Sequence, residues 1–185
     1  MTKHAIVGRL AILSLIGAMA VSPSARATLI WDWSYSGTGF SAGGTLQTTD
    51  TPDGSGFYPV IGIAGVRNGV AITGLQPAGT AIPGNEPFAV DDLIRASPEQ
   101  LTGDGIGFST ADGNFANIFF ASFLAPPGYV EFFSAPPFTP GVTGPEDHEV
   151  PVLFSAAPRI PEPASFVLLL SGLAAAGVAR RRRGN

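Results

Sequence analysis

Between residues 28 and 157 the chain is never far from a turn. Proline, Asp-Gly and Asn-Gly steps recur roughly every 10–15 residues, and nothing between them has the leucine-rich character of a helix. Residues 28–36 show what fills the gaps. Leu29, Trp31, Trp33 and Tyr35 point one way, while Ile30, Asp32, Ser34 and Ser36 point the other. That period of two marks a half-buried strand, rich in the aromatics that strands favour. Twenty-four glycines and 17 prolines would suit a loose chain, but 13 phenylalanines argue for a packed core.

The same grammar runs onward. Gly37-Thr38-Gly39 interrupts the first strand, extended character resumes over 40–48, and Thr51-Pro52-Asp53-Gly54 turns the chain. From 57 to 74, Val60, Gly62, Ala64 and Val66 alternate with Ile61, Ile63 and Gly65. Asn68-Gly69 then predicts a type I′ hairpin leading into Val70-Ala71-Ile72-Thr73. Residues 75–100 are irregular, because Pro77, Pro83, Pro87 and Pro98 forbid a long helix. Further strands are expected at 106–109, 115–124 and 129–133. A last one is expected at 150–156, in preference to a proline-rich stalk over 136–163. The expected fold class is all-β, a β-sandwich or jelly roll.

Both ends of the chain read as routing segments. Residues 1–27 have a basic start (Lys3, His4, Arg9), an apolar run over 10–21, a Ser22-Pro23-Ser24 break and an Ala25-Arg26-Ala27 site. This is the layout of a signal peptide helix cut after Ala27 by signal peptidase. At the other end Pro161-Glu162-Pro163 leads into sixteen uncharged residues, 164–179, and then Arg180, Arg181, Arg182 and Arg183. As a helix that run would be about 24 Å long, marginal for a single transmembrane helix in a bilayer core of about 30 Å. The arginines would stop it on the cytoplasmic side. The domain boundaries that follow are 1–27, 28–157 and 158–185.

This tail resembles the PEP-CTERM sorting signal: a Pro-Glu-Pro step, an apolar segment and an arginine cluster, in that order. The resemblance implies an exported protein with exosortase as a processing partner. It would be anchored first in the inner membrane and then passed to the cell surface or extracellular matrix. The middle of the chain is similar to ectodomains that often precede such a signal. It shares their aromatic first strand, the hairpin at 63–69, Ile72-Thr73-Gly74-Leu75, Asp91-Asp92-Leu93-Ile94 and Gly105-Ile106-Gly107-Phe108. Those resemble β-sandwiches of unassigned activity, and the likeness carries over no catalytic residue.

Charge and chemistry narrow the role further. Residues 28–160 hold thirteen acidic side chains against Arg67, Arg95 and Arg159, with no lysine. A domain so acidic lacks the footprint of nucleic-acid binding. The absence of cysteine removes disulfides, thiol catalysis and thiolate metal sites. His148 stands in a proline- and acid-rich loop, where a solvated role is expected. No Gly-x-Ser-x-Gly setting is present, and Asp91-Asp92 would face opposite sides of a strand. Asp91, Asp92, Asp104 and Asp112 are the oxygen ligands calcium accepts, but no EF-hand or nonapeptide spacing joins them, and no cofactor is expected. The preferred expectation is a non-enzymatic surface or matrix protein. The alternatives are an exopolysaccharide-binding module using exposed aromatics, with Trp31 and Trp33 as candidates, and acidic loops, and a jelly-roll hydrolase, which would need converging carboxylates.

Overall fold

The computed structural model describes residues 28–139 and 144–159. The expected signal peptide helix, its Ala25 and Ala27 site, the Pro161-Glu162-Pro163 step, the transmembrane helix and the arginine cluster lie outside these residues. Among the described residues nine strands are present: β1 (Thr28–Gly37), β2 (Phe40–Thr49), β3 (Tyr58–Arg67), β4 (Val70–Leu75), β5 (Leu93–Ile94), β6 (Ile106–Thr110), β7 (Phe115–Ala121), β8 (Gly128–Ser134) and β9 (His148–Pro158). The domain is all-β. It is not a sandwich or a jelly roll.

Eight of the strands, all but β5, form a closed antiparallel barrel in which chain neighbours are sheet neighbours throughout. Two pairings decide the closure. β2 pairs with β3, and β9, the final strand, pairs with β1 from Trp31↔Pro158 to Ser36↔Leu153. A sandwich would leave edges where these ladders run, and full closure removes them. β5 is a two-residue piece laid against the start of β3.

Glycine explains how β2 and β3 come so close. Gly44 and Gly65 are register partners. A Cβ on Gly44 would fall 2.0 Å from the Ala64 carbonyl oxygen, and one on Gly65, at φ +153°, 2.2 Å from that of Gly43. Glycines that lower strand propensity thus permit a contact no other residue allows.

Inside the barrel, β1 contributes Trp31, Trp33 and Tyr35, each no more than 4% exposed, as its alternation predicts. They pack with Leu46, Phe108, Ile118 and Val152 in one apolar core. Burial of a large aromatic side chain stabilises by about 2–3 kcal/mol. The Asn68-Gly69 turn has positive φ at both residues, as a type I′ hairpin requires.

The faces of β3 depart from the sequence pattern. A register shift against Gln47 and Thr48 leaves Ile61 unpaired and 53% exposed. The bulge exchanges the two faces of the strand. Val60 is buried, whereas Val66 points outward and Arg67 points inward.

Residues 76–105 leave the barrel between β4 and β6; much of the segment lies across its outer wall, while Ile94 and Leu101 join the main core. Ile82 and Val90 from this excursion are buried outside the main core. They rest where Gly107 of β6 has no side chain, since a Cβ there would stand 2.9–3.0 Å from Val90, Gln76 and Ile82. Gly105, at φ +73°, presses against β7, and its carbonyl accepts the N–H groups of Asp91 and Asp92. Asp91 and Asp92 therefore sit in a bent loop ahead of β5, not on a strand.

Candidate functional site

The strongest polar constellation lies inside the barrel. Arg67 donates from Nε to Oε1 of Glu131 at 2.7 Å and from Nη2 to Oε2 at 2.8 Å. Tyr35 adds a third hydrogen bond, from its hydroxyl to the same carboxylate. Glu131 is fully buried and Arg67 nearly so. Burial works against the Arg67 charge, but the hydrogen bond and attraction of Glu131 outweigh it and raise its pKa. Burial, with the charge of Glu131, holds the Tyr35 phenol well above its ordinary range. Phe133 lies 3.9 Å from the guanidinium, and His148 stacks on Phe133. His148 is thus half-buried at the start of β9 rather than solvated in a loop, because its ring completes this stack.

A second titratable group is held within the excursion, against β6. Asp92, at φ +53°, accepts the Gly107 N–H at 3.2 Å. Burial lifts its pKa to about 7, against the pull of that hydrogen bond, with Asp91 adding repulsion. Asp91 is raised by burial as well, while Thr102 donates to it at 2.7 Å. Asp112 is elsewhere, in the β6–β7 turn, bonded to Thr110. Among the described residues no three acidic or histidine side chains converge as a metal site.

An open feature of the outer wall is a cleft of about 400 Å³. Its floor follows from register: Asn117 of β7 pairs with Phe132 of β8, which pairs with Glu149 of β9, so all three point outward in one row. Phe119 and Phe123 extend the wall from β7 and the turn after it. The excursion supplies Phe88 and Asp104 opposite. Phe88 is 67% exposed and Phe123 72%, so both rings stand at the mouth.

Asn117 is the unusual member. Only 3% exposed, it donates from Nδ2 to the Asp104 carbonyl at 3.0 Å, which fixes the orientation of its amide. Its Oδ1 is buried without a hydrogen-bond partner. Sequence reading placed residue 117 on a strand but gave no sign that it would face a cleft. Trp31 and Trp33, the expected sugar platform, are inside the core; Trp31 donates to Thr48 at 3.0 Å.

The chain's exits are close together. β1 begins at Thr28, and the backbone N–H of Arg159 reaches the Ile30 carbonyl at 2.6 Å, so both ends of the described domain meet at one end of the barrel. Arg159 also pairs with Asp32, and its hydrogen bond keeps that carboxyl below the ordinary range.

Compared with known proteins, residues 159–183 match the PEP-CTERM protein-sorting motif. Neither a curated protein nor a solved structure matches the chain. The motif implies an exported protein, sorted at the cell envelope and processed by exosortase.

Proposed function

We propose that this chain is a non-enzymatic protein of the cell surface or extracellular matrix, a compact barrel carried as cargo by its C-terminal address. The observation that carries this reading is the junction. The sorting motif begins at Arg159, directly after β9 ends at Pro158, with no stalk between them. The folded domain and the sorting motif therefore abut. Signal peptidase would act on residues 1–27 and exosortase on the sorting motif, with the 164–179 run as a temporary membrane anchor.

The non-enzymatic assignment rests on where the perturbed groups lie. Strongly shifted titratable residues mark catalytic clefts when they line one. Here Tyr35 and Arg67 are sealed in the barrel, and Asp91 and Asp92 lie within the excursion; none of the four lines the cleft on the outer wall. The exopolysaccharide-binding alternative has lost the two tryptophans that suggested it.

The test is Glu162→Ala in the native host, followed by fractionation and intact mass. The variant is expected to remain in the membrane as a precursor that keeps its tail. Release at the normal mass would overturn the proposal.

A further inference from the structure

We infer that the outer-wall cleft is a binding site for an organic cation bearing N–H donors, an alkyl ammonium or a guanidinium. Three features of the cleft make separate demands, and one chemical class meets them all. The first is the Asn117 Oδ1. A buried acceptor without a partner costs about 1–3 kcal/mol, and here it belongs to a residue that lines the cleft. Because Nδ2 is committed to the Asp104 carbonyl, an incoming group must donate to the oxygen.

The second is charge. Asp104 and Glu149 both line the cleft and both are exposed, while no lysine or arginine lines it. An anionic ligand would meet two carboxylates and an acceptor, and nothing would compensate it.

The third is the wall. Phe88, Phe119, Phe123 and Phe132 give four phenyl rings. Aromatic rings carry a negative face that attracts cations, by about 0.5–2 kcal/mol per contact. They also shelter a carbon skeleton. A neutral hydroxyl would satisfy Asn117 but gain little from the carboxylates. An ammonium or guanidinium donates to Oδ1, neutralises the rim and lies against the rings. A volume of about 400 Å³ suits a small ligand or a single side chain.

This goes beyond delivery by the tail and does not depend on it; a protein mis-sorted through Glu162→Ala would keep the site. The probe experiment uses the full chain in a polyoxyethylene detergent, which carries neither charge nor sugar. Calorimetric titrations with agmatine and cadaverine are expected to give Kd values of about 0.1–1 mM, as befits ligands of this size. Glucose and glucuronate should bind at least about tenfold more weakly. Glu149→Gln and Phe123→Ala alter exposed side chains that the fold does not need, and each should weaken agmatine by about fivefold or more. Asn117→Ala should weaken it as well. Nα-acetyl-lysine amide and glucosamine, titrated in parallel, separate a protein side chain or an amino sugar from a free amine as the natural source.

Absence of amine binding up to about 10 mM would overturn the inference. So would unchanged affinity in both exposed-site variants, or glucose or glucuronate binding as tightly as agmatine. None of these results would bear on processing of the tail.

Discussion

Arg159 grips the Asp32 carboxylate with Nε at 2.9 Å and Nη2 at 2.6 Å, joining the end of the last strand to the first across 127 positions of chain. Both side chains are more than half exposed, so water and salt screen the pair. Its role is local. Asp32→Asn should leave the thermal midpoint unchanged, while exchange of the Arg159 amide, bonded to Ile30, accelerates by about tenfold. Hydrogen exchange read residue by residue checks this. A large fall in the midpoint, or unaltered exchange, would contradict it.

The interior pair behaves differently. Removing one partner of Arg67–Glu131 strands the other charge in the core, and Arg67→Ala or Glu131→Ala should each cost about 3–5 kcal/mol. The double change Arg67→Met with Glu131→Leu removes both charges together and should cost less than either single change. Urea unfolding midpoints measure all three. Strict additivity of the two losses would show that the pair is not coupled.

Asp92 predicts a pH dependence. Its folded pKa, about 7, stands well above the ordinary carboxylate value near 3.8. Between those values the folded protein keeps a proton that the unfolded chain has released. This group's contribution is therefore greatest on the acid side and falls as the pH rises from about 4 to about 7. An asparagine side chain in its place would still accept the Gly107 N–H, tolerates positive φ and does not titrate. Asp92→Asn should therefore stabilise by about 1–2 kcal/mol near pH 8, with the gain vanishing near pH 4. Paired thermal melts across that range test it, and a gain independent of pH would exclude titration as its cause.

Two glycines with the same backbone sign should respond unequally. Gly113, at φ +83°, has open space where a Cβ would go, and Gly113→Ala should cost about 1 kcal/mol for strain alone. At Gly105 the Cβ would meet the Ile118 carbonyl oxygen at 2.2 Å, so Gly105→Ala should cost about 2–4 kcal/mol. It should also loosen the excursion that walls the cleft. Equal losses at the two sites would show that the excursion does not depend on this contact.

Local pattern made much of the domain legible. The alternation around Trp31 fixed which face of β1 is buried, and Asn68-Gly69 announced its hairpin. Closure was not legible, because it depends on β1 meeting β9 and on two facing glycines, relations no short window contains. Arg67 followed a run of apolar residues and preceded a turn, where an arginine normally meets solvent; only the bulge at Ile61 turns it inward. The cleft was hidden for a similar reason. Asn117, Phe132 and Glu149 are far apart in sequence and become neighbours only through the registers of three strands.

β9 sits between β1 and β8, and it is also the last of the described strands to be synthesised. One side of β1 must therefore wait for residues 153–158 while the whole intervening chain is made. Until then the sheet has two open edges, and Trp31, Trp33 and Tyr35 lack part of their wall. The barrel becomes complete only when the strand that leads into the sorting motif is in place. Any cut made at the motif before that moment would act on an unfinished domain. In this chain the order of assembly makes the seam a clock: the address becomes attached to a finished protein at its final step.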